Sequence, residues 1–294
     1  MEETMAAATR KTSTKKNTVS RKSPSEKKPT PSMKEATLIT GASGGIGEAL
    51  AGEFAKGGSN LILVARSKDK LEAIAARLMD EHGIAAIALP ADLSKPNAGR
   101  KLFEAVIAKG VHVETLVNNA GVLEMGAFAD ISTKRHLELT HLNVTTLTEL
   151  TSLFVPGMVE RKDGRILNVA SIAAFQPIPS LASYAATKAY VLSLTESLSE
   201  ELKPHGITAT ALCPGMTATD MVASAKESNE TAAKIPDFMV SDVAGVAAEG
   251  YAACMKGDVI RVPGMVNLAA AVAGRASPRW LVRAVSGALG RLAL

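Results

Sequence analysis

Tyr184 and Lys188, four apart in the run Tyr184-Ala-Ala-Thr-Lys188, are the residues of this 294-residue chain best suited to acid–base chemistry. On a helix that spacing puts both side chains on one face. A free phenol has a pKa of about 10 and exchanges protons poorly at neutral pH. A neighbouring ammonium favours the phenolate and lowers that value, which makes proton transfer to or from a carbonyl oxygen effective. Ser171, thirteen residues before Tyr184, can donate a hydrogen bond to the same oxygen. Alone, such a pair reads as well as a surface helix contact, so its company decides.

That company includes the glycine-rich run Thr40-Gly-Ala-Ser-Gly-Gly-Ile-Gly47. Gly41 permits a tight turn, Gly45 lets the backbone approach a pyrophosphate, and Gly47, after Ile46, lets helix and strand pack closely. The helix that follows presents free N–H groups to the anion. The spacing is GxxxGxG rather than GxGxxG, so its place between a strand and a helix carries the argument. The next strand ends Val64-Ala65-Arg66-Ser67-Lys68, with no carboxylate until Asp69. An acidic residue there would bind the ribose of NAD. Arg66 instead can make charge-assisted bonds to a 2′-phosphate, and Ser43 can add a hydroxyl, so NADP(H) is favoured over NAD(H). Asp92, after the third strand, is placed to meet the adenine. The alternative for Arg66 is a solvated charge at a strand end.

These residues need a scaffold, and the apolar pattern supplies one. Strands are predicted over residues 36–40, 60–66, 84–89, 114–118, 165–170, 207–212 and 258–262. Helices are predicted up to about residue 56 and over 68–82, 94–109, 133–161, 180–203 and 241–255. Alternation of this kind, with continuously apolar strands, indicates α/β architecture: one doubly wound, seven-stranded parallel sheet with helices on both faces. Residues 35–262 form that domain. Residues 1–34 read as a disordered basic tail, and residues 263–294 as an amphipathic helical extension with Leu281 and Val285 opposite Arg279 and Arg283.

Across residues 35–262 the chain resembles the short-chain dehydrogenases/reductases, with Thr40–Gly47, Asp92-Leu93, Asn118-Asn119-Ala120-Gly121, Asn143, Ser171, Tyr184-x-x-x-Lys188 and Pro214-Gly215 in family order. The resemblance implies hydride transfer between nicotinamide and a carbonyl or alcohol carbon, with Tyr184 as general acid/base. It implies that Asn143 holds a proton-relay water linked to Lys188. It places Asp92, Leu93, Asn119, Ala120 and Gly121 along the cofactor. Lys188 would bond the nicotinamide ribose beside Tyr184, and Pro214-Gly215 would pass the nicotinamide. Either Thr217 or Thr219 would contact its carboxamide, since the family's usual threonine position here holds Ala218. It further implies a homodimer or homotetramer paired through helices 133–161 and 180–203.

The substrate-facing segments should be Val122–Met125, Ile172–Gln176 and a lid over 216–238, all mostly apolar. The first two contain no arginine to clamp a small carboxylate. An apolar ketone, ketoacyl or steroid-like substrate fits better. Nine basic and four acidic residues lie in positions 1–35, so the high pI belongs to the tail and a nucleic-acid-binding body is not implied. Cys213 and Cys254 read as buried thiols in a reducing compartment, with no metal site indicated. The expected location is cytoplasmic, with peripheral membrane contact the less favoured alternative. Rival readings are a non-catalytic NADP-binding regulatory protein and an NAD-dependent alcohol dehydrogenase.

Overall fold

The computed structural model describes residues 33–218 and 240–291. The basic tail and most of the expected lid lie outside the described residues. Seven parallel strands form one sheet in the order β3-β2-β1-β4-β5-β6-β7. They are β1 (Glu35–Thr40), β2 (Leu61–Ala65), β3 (Ala86–Pro90), β4 (His112–Asn118), β5 (Gly164–Val169), β6 (Ile207–Leu212) and β7 (Ile260–Arg261).

Successive strand residues point to opposite faces, and the core divides accordingly. Ile39 and Leu63 pack with Leu50, Phe54, Leu78 and Val246. These come from α1 (Gly45–Lys56), α2 (Lys68–His82) and α7 (Val243–Lys256). Their neighbours Leu38 and Ile62 pack on the other face with Leu102, Leu150, Phe154 and Leu202. Those belong to α3 (Ala98–Ile107), α5 (Leu147–Arg161) and α6 (Ala182–Leu202). All five positions of β2 are buried, because helices cover both of its faces. Connections leave β1 toward β2 on one side, while β4 lies on its other side. The chain therefore separates at the carboxyl ends of β1 and β4, the switch point where open α/β sheets bind ligands.

Three expectations need correction. The helix predicted over residues 133–161 is not continuous: α4 (Thr133–Thr140) passes into a π-helical turn at His141–Thr146 before α5 begins. The last strand, expected over 258–262, shrinks to two residues. The extension holds two helices rather than one, α8 (Met265–Ala276) and α9 (Arg279–Arg291).

Candidate active site

The turn from β1 to α1 is organised by Thr40, whose side chain orders the backbone. Its hydroxyl donates to Val117 O at 3.2 Å and accepts the N–H groups of Asn119 and Ala120, both at 3.0 Å. Asn119 returns the contact, its Nδ2 donating to Thr40 O at 2.9 Å and Gly41 O at 3.2 Å. The ends of β1 and β4 are thereby held together at the switch point. Gly41 adopts φ +68° and Gly45 φ +55°, conformations that favour glycine. A Cβ on Gly47 would lie 2.2 Å from Gly41 O, so the loop closes on this glycine. No side chain caps the N-terminus of α1, which leaves its first N–H groups available to an anion.

From this turn a trough runs in two directions. Toward β2 and β3 it is lined by Ser43, Arg66, Ser67, Lys70, Asp92 and Leu93. Arg66 is exposed and makes no ion pair among the described residues. Asp92 Oδ1 accepts Ser94 N at 3.1 Å and Ser94 Oγ at 2.6 Å. The Ser94 bond, with Lys95 and Arg66 nearby, holds the carboxyl below its ordinary range despite partial desolvation. The Leu93 side chain is itself buried, so it forms floor rather than a polar contact.

Toward β5 and β6 the same trough is lined by Gly45, Ile46, Asn119, Gly121, Ser171, Tyr184, Lys188, Pro214, Gly215 and Thr217. Gly41, Ala120 and Gly121 border both halves. Ser171, just past β5, accepts Ala173 N at 3.1 Å on its hydroxyl oxygen, and the same hydroxyl bonds the Tyr184 phenol. Lys188 is buried and its Nζ donates to Val169 O at 2.8 Å. That ammonium lies over the Tyr184 ring, 5.7 Å from the centroid.

The electrostatics differ from what the spacing predicts. Burial pushes the Tyr184 phenol up, with only the Ser171 hydrogen bond drawing it down. Burial, rather than the Lys188 ammonium, is the largest influence on the phenol. Lys188 is itself lowered to about 8 by burial, against a raising influence from Cys213. A phenol above its ordinary value of about 10 is uncharged at neutral pH.

Asn143 and Gly47 do not line the trough; both stand behind it. Asn143 Oδ1 accepts Val122 N at 2.9 Å, and its Nδ2 donates to Val122 O at 3.0 Å and Thr187 Oγ1 at 3.2 Å. A Cβ on Gly121 would meet Asn143 Oδ1 at 3.1 Å and Lys188 Nζ at 3.6 Å, so the two groups flank this glycine. These bonds account for the π-helical turn: they draw Asn143 out of α-helical register toward the loop after β4. Asn143→Ala strands the Val122 peptide and is expected to cost about 2 kcal/mol, read from the urea midpoint at unchanged slope. Unaltered stability would show that the turn does not depend on Asn143.

A buried polar ladder runs from Asn118, the first residue of the asparagine motif. Asn118 Nδ2 donates to Thr151 Oγ1 at 3.1 Å and Asn168 Oδ1 at 2.9 Å, and Asn168 Nδ2 donates to Thr195 Oγ1 at 2.9 Å. It ties α5, β4, β5 and α6 together just below Ser171 and Lys188. The signal was present as an asparagine within an apolar strand, but its partners were not. Thr217 donates to Gly215 O at 3.1 Å and lines the trough, while Thr219 lies outside the described residues. Glu124, in the apolar segment after β4, forms an ion pair with Arg135 of α4.

Residues 35–230 match the short chain dehydrogenase family. The chain is 34% identical over 193 residues to hydroxysteroid dehydrogenase-like protein 1 of Gallus gallus, covering 64% of this chain and 57% of that one. It is 32% identical over 204 residues to the very-long-chain 3-oxoacyl-CoA reductase of Anas platyrhynchos, covering 67% and 64%. The chain therefore spans less than two thirds of the length of these relatives. Among solved structures, a short-chain dehydrogenase from Sphingobium yanoikuyae in complex with NADPH aligns at a TM-score of 0.73 and 34% identity, covering 88% of this chain and 94% of that one.

Proposed function

The chain belongs to the short chain dehydrogenase family, and from that premise we propose that it is an NADP(H)-dependent oxidoreductase that reduces the carbonyl of an apolar substrate. The observation that carries this reading is the convergence of Ser171, Tyr184 and Lys188 on one end of a trough whose other end holds Arg66, with the glycine turn between them. The turn fits a dinucleotide: two glycines at positive φ, an uncapped helix start, and space that a Cβ on Gly41 or Gly47 would fill. Gly41, Ser43, Gly45, Ile46 and Gly47 would hold its phosphates, and Asp92 and Leu93 the adenine. Asn119, Ala120, Gly121, Pro214 and Gly215 would border the nicotinamide. Bound nicotinamide supplies or accepts the hydride.

The residues of the chain manage the accompanying proton. The Ser171 hydroxyl donates a hydrogen bond to the carbonyl oxygen, keeping its own proton, and fixes that oxygen beside Tyr184. Tyr184, neutral at rest, gives its phenolic proton to that oxygen as the carbonyl carbon is reduced. The resulting phenolate is stabilised by the Ser171 hydroxyl and the Lys188 ammonium. A neutral tyrosine favours the reductive direction, because it begins as the acid. Initial rates with NADPH plus ketone should exceed those with NADP+ plus alcohol at neutral pH. A strict preference for alcohol oxidation would reverse the assignment of direction.

Very-long-chain 3-oxoacyl-CoA reductase and L-sorbose reductase are among the named relatives and structural neighbours, so the fold accepts both apolar and polar carbonyls. The Val122–Met125 and Ile172–Gln176 segments support an apolar ketone, ketoacyl or steroid-like group here. A homodimer or homotetramer through α5 and α6 belongs to the same reading.

The cofactor choice rests on Arg66 and is tested by titrating NADPH and NADH into the protein and into Arg66→Ala. Loss of a charge-assisted contact should weaken NADPH by roughly 10- to 100-fold and leave NADH unchanged. Equal binding of both cofactors by the unaltered protein would transfer the role to NAD(H).

A further inference from the structure

The C-terminal helices present an apolar surface that the proposed reaction does not use. α8 meets the body on one side only. There Ala271 is buried, Asn267 packs on Gly215, and Arg275 bonds Glu196 at 2.7 Å while lying over the Phe175 ring. Away from the body α8 exposes Met265 (84%), Val266 (78%), Leu268 and Val272 (58%). After the turn at Ser277-Pro278, α9 exposes Trp280 (65%), Leu281 and Val285. Seven exposed large apolar side chains on two successive helices mark an interaction site.

Charge selects the partner. Residues 263–294 contain four arginines and no aspartate or glutamate, whereas residues 36–262 contain twenty basic and twenty-five acidic residues. Arg279 and Arg283 make no ion pair among the described residues. We infer that α8 and α9 form a docking surface for an anionic lipid bilayer, lying in its plane. The aliphatic side chains enter the acyl boundary and Trp280 sits at headgroup level, while Arg279 and Arg283, exposed at the rim of a cavity between α9 and the start of α6, extend from the polar face of α9 to lipid phosphates. No helix among the described residues is long and apolar enough to cross a membrane, so the contact is with the surface. A second copy of the chain is the poorer occupant. A two-fold contact sets the patch against itself, bringing arginines together in a segment that has no carboxylate to relieve them.

Trp280 is the chain's sole tryptophan, so its emission reports on this surface alone, separately from any binding by the basic N-terminal segment. The full chain is mixed with phosphatidylcholine vesicles with and without phosphatidylserine. The expected result is pelleting with the phosphatidylserine vesicles, a blue shift of Trp280 emission, and quenching by brominated lipid. Val266→Ser/Val272→Ser should remove the shift. Arg279→Gln/Arg283→Gln should weaken the phosphatidylserine vesicle affinity by roughly ten- to thirty-fold, and both pairs should keep the parent's circular dichroism. Pelleting with unchanged emission would overturn the inference by assigning binding to other basic residues. Absence of pelleting would overturn it outright. A blue shift in lipid-free protein that grows with concentration, alongside a dimer in light scattering, would assign the surface to a second copy.

Discussion

Tyr184→Phe is expected to lower kcat about a thousand-fold, within the range that positioned acid–base groups contribute, while changing NADPH affinity by less than about twofold. The substitution removes one oxygen and keeps the ring over which Lys188 lies. The trough should keep its shape, so the loss belongs to proton transfer. No other described group is placed to substitute: Ser171 shares the site, but a serine hydroxyl is a far weaker acid than a phenol. Burial raises the Tyr184 phenol, so at neutral pH it is uncharged in both folded and unfolded states and its titration adds nothing to stability there; the variant should fold about as stably as the parent. Retention of more than about a tenth of kcat would remove Tyr184 from the proton path. Undetectable turnover in the parent itself, with NADPH bound, would instead favour the non-catalytic regulatory reading.

The legibility of the chain followed the range of the forces involved. The sheet was readable because burial on both faces demands unbroken apolar strands, and β2 meets that demand at every position. The glycine turn was readable because positive φ and close approach restrict Gly41, Gly45 and Gly47 to glycine in ways visible one residue at a time. Tertiary polar contacts were not. His141–Thr146 contains neither proline nor glycine, so nothing local breaks the helix there; the cause is the bonding of Asn143 to Val122, far away in sequence. α8 was missed for the opposite reason. A search for amphipathic periodicity needs a polar face, and between Met265 and Ala276 only Asn267 and Arg275 are polar, both turned toward the body. The Tyr184–Lys188 spacing gave the neighbours, but the burial that raises the phenol was not legible, because spacing contains no information about desolvation.

That desolvation makes Lys188→Met the most informative companion experiment. Burial lowers the ammonium from 10.5 to about 8, so the folded state binds this proton less well than the unfolded chain. Below about pH 8 both states carry the proton and the full penalty is present. Between about 8 and 10.5 the unfolded chain keeps the proton while the folded one releases it, so this group's contribution to stability rises with pH. At 1.36 kcal/mol per pKa unit the penalty at neutral pH is about 3 kcal/mol. Methionine fills the space without charge and forfeits the hydrogen bond to Val169 O, worth about 1 kcal/mol. A net gain of about 2 kcal/mol should raise Tm by about 5 °C at pH 7, and the advantage should shrink by pH 10. Turnover should fall together with it, since the phenolate formed at Tyr184 would lose its counter-charge. A stabler and less active protein would identify the buried ammonium as a cost retained for chemistry. A lower Tm at pH 7 would show that hydrogen bonding around Lys188 outweighs its burial, and that the lysine is held there by the fold rather than for the reaction.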